Sequence, residues 1–132
     1  MDFSKNKVLI TGGSRGIGKA CAQAFAARGA QIAINFHSNR KAAQETLDDL
    51  PGGAHMLIQA DVAQPNSAQR MIDMVVQEFG GLDIVVNNAG ISQKHPVDAV
   101  DYETWQQAWQ RILAINLVGP ANVMYWAVQH MK

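Results

Sequence analysis

Three of the four glycines that follow the first apolar segment of the chain have a spacing that suits phosphate binding. After Lys7–Thr11 the sequence reads Thr-Gly-Gly-Ser-Arg-Gly-Ile-Gly over residues 11–18 and continues in a helical pattern. Gly12 allows a sharp turn, Gly16 lets a phosphate approach the backbone, and Gly18 lets the helix lie close to a sheet. Because the first turn of a helix offers N–H groups and a positive dipole, this loop is predicted to bind a dinucleotide diphosphate. A tight turn without a ligand is the alternative. The predicted contact residues are Gly12, Ser14, Arg15, Gly16, Ile17 and Gly18.

The second apolar segment, Gln31–Phe36, ends without the acidic residue that NAD-binding domains of this type use to hold the ribose 2′-hydroxyl. Residues 35–40 read Asn-Phe-His-Ser-Asn-Arg instead. Since no carboxylate would repel a 2′-phosphate there, the pattern predicts NADP in preference to NAD. The alternative is an exposed loop that happens to be polar. The candidate phosphate contacts are Arg15, Asn35, His37 and Ser38, with Arg40 ranked after them.

Short apolar segments alternate with amphipathic ones along the whole chain. The apolar segments are typical of strands covered on both faces, and they are Lys7–Thr11, Gln31–Phe36, His55–Ala60 and Leu82–Asn87. The predicted helices are Gly16–Arg28, Asn39–Leu50, Ser67–Phe79 and a long one from about Asp101 to His130, with Ser38 and either Asn66 or Ser67 as helix caps. This alternation predicts right-handed crossovers and a doubly wound α/β fold with a parallel sheet.

Composition limits the class of protein. A chain of 132 residues has room for one domain, 1–132, and 48% apolar with 17% charged residues excludes a disordered tail. The single cysteine, Cys21, cannot form an internal disulfide, so a cytoplasmic location is expected. We expect no signal peptide in Met1–Lys7 and no segment long enough to span a bilayer.

Charge is distributed unevenly although the formal net charge is zero. Residues 1–41 contain seven Lys or Arg and one acidic residue, whereas residues 42–132 contain four and ten. A basic first third without a run of Lys or Arg favours a small anionic ligand over nucleic acid, with solvated helix faces as the alternative. The four histidines are too scattered for a metal site.

Three motifs at successive strand ends resemble the short-chain dehydrogenase/reductase family, in its classical subgroup. They are the glycine loop, Asp61-Val62 after the third strand and Asn87-Asn88-Ala89-Gly90 after the fourth. The resemblance covers the chain and implies an NAD(P)-binding Rossmann fold. It implies that Asp61 contacts the adenine amino group beside the Val62 backbone, that Asn88, Ala89 and Gly90 line the cofactor ribose, and that Asn87 braces the sheet. Without the resemblance, Asp61 is equally well interpreted as a capping or loop residue.

The last helix adds one candidate catalytic residue, Asn116. Trp105, Trp109, Ile112, Asn116 and Val123 fall on one helical stripe, so Asn116 is predicted to be a buried amide. Pro120 has no N–H for the Asn116 carbonyl, which predicts a kink with that carbonyl left available. The resemblance implies an active-site Asn whose main-chain carbonyl holds a water in a proton relay toward a catalytic Lys. A capping or core-bridging Asn is the alternative.

The other catalytic residues that the resemblance implies are absent from this sequence. The family uses a Ser and a Tyr followed four residues later by Lys, but Tyr102 is followed by Gln106 and Tyr125 by Gln129. The chain therefore resembles the N-terminal half of an NADP-dependent oxidoreductase acting on a carbonyl or secondary alcohol, truncated after its fourth strand and long helix and inactive alone. A non-catalytic NAD(P)-binding or sensor module complete at 132 residues, and a purely structural dimerising half, are the alternatives.

A fold that ends in this way would expose apolar surface. The fourth strand would form a sheet edge, and the long helix would lack neighbours on one side. We therefore expect association with a second copy or with a C-terminal fragment. The substrate cannot be deduced from these residues.

Overall fold

The computed structural model describes residues 1–131, which form one four-stranded parallel sheet with helices on both faces. The strands are β1 (Lys7–Ile10), β2 (Gln31–Phe36), β3 (Met56–Gln59) and β4 (Ile84–Val86), in the order β3-β2-β1-β4. Every pairing is parallel, with Val8 opposite both Ile32 and Ile84. The predicted α/β, doubly wound class is confirmed.

Within residues 1–131, five α-helices and one π-helical turn connect and follow these strands. They are α1 (Gly16–Ala26), α2 (Arg40–Asp48), α3 (Pro65–Phe79), α4 (Tyr102–Leu113) and α5 (Gly119–His130), with the π-helical turn Ala114–Val118 between α4 and α5. The predicted helices are therefore present, with ends that differ by a few residues.

The two faces of the sheet contribute to two separate apolar cores, because successive side chains of a strand point in opposite directions. Val8 and Ile10 of β1 are buried with Ala22 and Ala26 of α1 on one face, and Leu47 of α2 packs there as well. On the other face, Leu9 is buried in a core to which α3 and α5 contribute. That core includes Ala33, Ile58, Met71, Ile72, Val75, Val123 and Ala127. Burial on both faces explains the nearly continuous apolar character of the strands.

The predicted caps of α2 and α3 are wrong. Asn39, not Ser38, caps α2, and its Oδ1 accepts a hydrogen bond from the Ala42 N–H at 3.0 Å. Helix α3 begins at Pro65 without a side-chain cap, because a proline at the first helical position has the required φ and no N–H to satisfy. Ser67 lies inside α3, and its hydroxyl instead accepts from the Asp61 N–H at 3.0 Å.

The predicted buried stripe on the long helix is also wrong. Of its five residues only Val123 is buried, and both Trp109 and Asn116 are exposed. The stripe assumed an uninterrupted α-helix, whereas the chain changes to a π-helical turn where the Gly119 N–H donates to the Ala114 carbonyl. Within residues 1–131, Ala108 is the one buried residue of α4. The π-helical turn lies just before Pro120, and the kink expected there stays a prediction.

The continuous helical segment Tyr102–His130 is long and apolar enough to cross a membrane by length and composition, with a mean hydropathy of 1.2 in its most apolar window. The expectation that no segment reaches such a length is therefore wrong. Only 17% of that window is buried within the structure. Length and composition are weak evidence for a span, however, because helices of a folded core also meet this test, and Val123 and Ala127 of this segment are buried in the core with α3.

Candidate cofactor site

A cleft of about 480 Å³ lies where the carboxyl ends of the parallel strands meet. Open α/β sheets bind ligands at this edge. The cleft is lined by eleven of the fourteen predicted cofactor-binding residues, which are Gly12, Ser14, Arg15, Asn35, His37, Ser38, Asp61, Val62, Asn88, Ala89 and Gly90. The topology thus brings together residues from four separate parts of the sequence.

Two glycines of the loop are required by close packing. Gly12 has a φ of +61°, and a Cβ there would lie 2.9 Å from the Ala89 Cα. A Cβ on Gly18 would lie 2.6 Å from the Asn88 Nδ2 and would also collide with the Gly12 carbonyl oxygen. Gly18 therefore stays outside the cleft and lets α1 approach the end of β4, as the spacing predicted.

The start of α1 has the features that a diphosphate requires. Gly16 has a φ of +55°, and a Cβ there would have no atom within 4 Å. No side chain caps the first turn of α1, and no acidic residue lies in that turn. Backbone N–H groups at an uncapped helix start attract anions, so these residues fit a diphosphate. Gly16 and Ile17 are not among the residues that line the cleft, and the Ile17 side chain is 77% exposed.

The buried Thr11, which is not among the predicted site residues, joins the glycine loop to the end of β4. The Thr11 Oγ1 accepts from the N–H groups of Asn88 and Ala89, both at 3.0 Å. The Asn88 Nδ2 donates to the carbonyls of Thr11 at 3.1 Å and Gly12 at 2.9 Å. Asn88 therefore performs the bracing task expected of Asn87, which is exposed.

Asn35 also differs from its prediction. Its side chain is directed into the protein, and the residue is 2% exposed. The Oδ1 accepts from the Gly12 N–H at 3.3 Å, and the Nδ2 donates to the Ala60 carbonyl at 3.1 Å. Because both ends of the amide are used by the backbone, the geometry supports a brace between the glycine loop and β3 in place of the predicted phosphate contact.

The polar loop after β2 supplies the exposed groups of the cleft. The Gln59 Nε2 donates to the His37 carbonyl at 2.9 Å and fixes the backbone of that loop. The His37 Nε2 lies 3.8 Å from the Asp61 Oδ2. Arg40 stacks over the Phe36 ring, with 5.1 Å between the guanidinium carbon and the ring centroid. Arg15, His37 and Ser38 thus remain as side chains that line the cleft.

Asp61 and Val62, which follow β3, line the cleft beside this loop. The Asp61 Oδ1 accepts from the Ala63 N–H at 3.0 Å, so this carboxylate shapes its own turn as well as lining the cleft. The Asn122 Nδ2 of α5 donates to the Val62 carbonyl at 3.1 Å. A Cβ on Gly119 would lie 2.7 Å from the Val62 Cγ2, which explains the glycine at that helix position.

Asn116 holds the segment after β4. Its Oδ1 accepts from the Ile91 N–H and its Nδ2 donates to the Ile91 carbonyl, both at 2.8 Å. The amide therefore has two partners, as predicted, although Asn116 is exposed. It lies in the π-helical turn, where irregular hydrogen bonding is frequent at functional sites.

The cleft also contains residues that the motifs did not indicate. They are Phe36, Asn39, Ala60, Ile91, Arg111 and Ile115. Four of these are neighbours of predicted residues at the same strand ends and could have been included on that ground. Arg111 and Ile115 are brought to the cleft by the long helix, and no local pattern indicates them.

The family model for short chain dehydrogenase matches residues 6–132. The chain belongs to the short-chain dehydrogenase family. A relative, glucose 1-dehydrogenase 2 of Bacillus subtilis (strain 168), is 33% identical over 132 residues, which cover 98% of this chain and 50% of that protein. The short-chain dehydrogenase/reductase homolog YusS of the same organism is 41% identical over 102 residues, covering 75% of this chain and 94% of that protein.

A solved structure supports the same assignment. The short chain dehydrogenase from Burkholderia cenocepacia J2315, in complex with NADP, superimposes with a TM-score of 0.90 at 34% identity. The match covers 100% of this chain and 53% of the other. This short-chain dehydrogenase chain thus spans about half the length of that structure and of glucose 1-dehydrogenase 2.

Proposed function

We propose that this chain is the cofactor-binding part of an NADP-dependent oxidoreductase that transfers a hydride between nicotinamide and a small carbonyl compound or secondary alcohol. The observation that supports this proposal is the cleft at the strand ends. Arg15 and His37 line the cleft, and no acidic residue directly follows β2. The NADP complex of the Burkholderia short chain dehydrogenase supports the choice of cofactor. We propose a cytoplasmic protein without nucleic-acid or membrane partners.

The binding roles follow the geometry of the cleft. Backbone N–H groups near Gly16 would hold the diphosphate. Arg15 would meet a 2′-phosphate with a planar, permanently charged guanidinium, and His37 and Ser38 would add polar contacts. The adenine would lie against Asp61 and Val62, and the ribose would lie along the wall formed by Asn88, Ala89 and Gly90.

The chemistry requires a hydride and a proton. When bound, the nicotinamide supplies or accepts the hydride. Asn116 would hold a relay water at its main-chain carbonyl, a role that the π-helical turn and the missing N–H of Pro120 both favour. The Asn116 side chain would orient that turn through Ile91.

A titration tests the cofactor assignment. NADPH and NADH are titrated by fluorescence against the parent protein, Arg15→Glu and Arg28→Glu. Arg28→Glu is the control, because it makes the same change of charge after the other end of α1. The Arg28 guanidinium donates to the Ala24 carbonyl there. We expect tighter binding of NADPH by the parent, a loss of about tenfold or more in Arg15→Glu only, and little change for NADH. Equal affinity of the parent for NADPH and NADH would contradict the proposed recognition of the 2′-phosphate.

The second candidate is a non-catalytic NAD(P)-binding or sensor module. The relative YusS supports this candidate, because the match covers 94% of that protein. The coding sequence after Lys132 discriminates between the two. A strand with Ser followed by Tyr-x-x-x-Lys supports the oxidoreductase, whereas a stop codon supports the sensor module.

A further inference from the structure

The glycine loop is held along its backbone from both neighbouring strands. On the β4 side, the Asn88 Nδ2 donates to the carbonyls of Thr11 and Gly12. On the β2 side, the Asn35 Oδ1 accepts from the Gly12 N–H at 3.3 Å, and the Asn35 carbonyl accepts from the Gly13 N–H at 3.0 Å. Each peptide from Thr11 to Gly13 therefore has a fixed orientation.

The Ser14 carbonyl, two residues after that of Gly12, is held by a helix that lies outside the cleft. The Thr46 hydroxyl of α2 donates to it at 2.7 Å, and Thr46 is only 1% exposed. Threonines inside helices often bond to their own helix four residues back. Thr46 instead reaches the glycine loop across 32 positions of sequence. None of the motifs selected it, because a lone threonine on an amphipathic helix carries no pattern.

This hydrogen bond fixes a peptide group that faces the cleft. The structure contains no cis peptide bond within residues 1–131. In a trans peptide the C=O and the following N–H point in opposite directions. Because the Ser14 carbonyl points to α2, the Arg15 N–H points away from α2, and both Ser14 and Arg15 line the cleft.

We propose that Thr46 is a positioning residue for the diphosphate, acting through the Ser14–Arg15 peptide. Its hydroxyl holds that peptide in the orientation that presents the Arg15 N–H to the anion before the dinucleotide arrives. This inference rests on the proposed function, since it requires a dinucleotide in the cleft. Loss of the hydroxyl would leave the Ser14 carbonyl unpaired and free to rotate, so the N–H would lose its direction.

The test compares Thr46→Val, which keeps the shape and removes the hydroxyl, with Thr46→Ser, which keeps the hydroxyl. Lys19→Met is the matched control, because the Lys19–Asp49 ion pair of 2.8 Å also links α1 to the end of α2 without contacting Ser14. Each protein is titrated with NADPH by fluorescence and with adenosine 2′-monophosphate by calorimetry. The second ligand carries no diphosphate. Urea unfolding reports stability separately.

We expect Thr46→Val to weaken NADPH binding roughly three- to tenfold while adenosine 2′-monophosphate affinity stays within about twofold. Thr46→Ser and Lys19→Met should bind both ligands as the parent does. Unchanged NADPH affinity in Thr46→Val, or an equal loss for both ligands, would overturn the inference and leave the proposed function intact. If Thr46→Val does not fold, a weakened NADPH affinity in Thr46→Ser overturns it. A parent protein that binds neither NADPH nor NADH overturns both.

Discussion

At the scale of single residues, the loop glycines serve different physical purposes. Gly12 and Gly18 leave room for Ala89 and Asn88, whereas Gly16 has open space where a Cβ would be. Outside this loop, Ala54 is the one residue other than glycine with a positive φ within residues 1–131. Substitutions at these positions can therefore distinguish the effect of a steric clash on stability from the effect of a left-handed backbone conformation.

Gly18→Ala should destabilise the protein by about 1–3 kcal/mol and weaken NADPH binding, because the new methyl group forces the loop away from Asn88. Gly80→Ala is the control. Gly80 has a φ of +72° with open space around a Cβ, so its cost should be the left-handed strain of about 1–2 kcal/mol with unchanged binding. Urea unfolding and NADPH titration measure the two effects. Normal NADPH affinity in Gly18→Ala would contradict the steric argument.

Ala54→Gly should stabilise the protein by up to about 1 kcal/mol. Ala54 has a φ of +62°, and relief of its strain outweighs the added freedom of glycine in the unfolded chain. Thermal unfolding measures the change. Ala121→Gly, in the regular helix α5, should instead cost about 0.5–1 kcal/mol. A lower melting temperature for Ala54→Gly would show that the turn does not strain its alanine.

The residues of the cleft could be predicted from sequence more readily than their individual contacts. Strand-end positions such as Asp61 and Asn88 follow from the alternation of strands and helices. The sequence does not indicate whether the Asn35 side chain contacts a ligand or the protein backbone. That depends on how deeply the end of β2 is buried in the fold. Thr46 acts through an element that no motif contains, so only the three-dimensional packing shows its contact with Ser14.

At the scale of secondary-structure elements, helix ends and the break in the long helix were the least predictable features. Ser38, Ser67 and Asn39 are all acceptable caps by residue type, and local φ and ψ decide among them. The π-helical turn Ala114–Val118 moves the buried side of the long helix, so a regular period assigns burial to the wrong residues. Strand positions were predicted well because burial on both faces leaves a simple apolar pattern.

The N-terminus of α4 should be sensitive to acid through Asp101. Its Oδ1 accepts from the Thr104 N–H at 2.7 Å, and this backbone hydrogen bond, with a side-chain hydrogen bond to Thr104, lowers the pKa of Asp101 below its ordinary value. A carboxyl with a depressed folded-state pKa contributes stability above its unfolded pKa and loses it as the pH falls through the folded value. Stability should therefore decline below about pH 4.

The Asp101 contribution is measured by urea midpoints between pH 2.5 and 7 for the parent, Asp101→Asn and Asp101→Ala. Asparagine also caps helices but does not titrate, so Asp101→Asn should keep most of the stability at neutral pH and show a smaller loss in acid. Asp101→Ala should be less stable at neutral pH. Equal acid sensitivity in Asp101→Asn and the parent would assign the acid effect to other carboxyls.

At the scale of the whole molecule, the β4 edge of the sheet and one surface of the long helix lack a covering partner within residues 1–131. Strand β4 lies at an edge of the described sheet. The outer surface of the long helix exposes large apolar side chains, which are Tyr102, Trp109, Leu113, Leu117, Val118, Met124, Tyr125 and Val128. Contiguous exposed apolar surface of this kind marks an interaction site. We propose that it is covered by a second copy or by a C-terminal fragment.

Substitution of this surface tests the association. The double variant Leu117→Lys with Tyr125→Lys should shift the protein toward monomer in light scattering, because both side chains are 63% exposed and charge opposes their burial in an interface. Ile17→Lys and Val97→Lys place the same charge on apolar positions elsewhere that are even more exposed, at 77% and 83%, and should not change the molar mass. A parent protein that is monomeric without any partner would contradict association.

The order of strands in the sheet has a consequence for biosynthesis. Strand β1 is an inner strand that pairs with β2 on one side and β4 on the other. Its partner residues in β4, such as Ile84 opposite Val8, come much later in the sequence than those in β2. A ribosome releasing the polypeptide from its N-terminus therefore presents β1 with one open side until β4 has emerged. During that interval the backbone groups of Val8, Leu9 and Ile10 that face β4 stay unpaired. Unpaired strand edges favour aggregation, and this exposure ends once Val86 is available to pair.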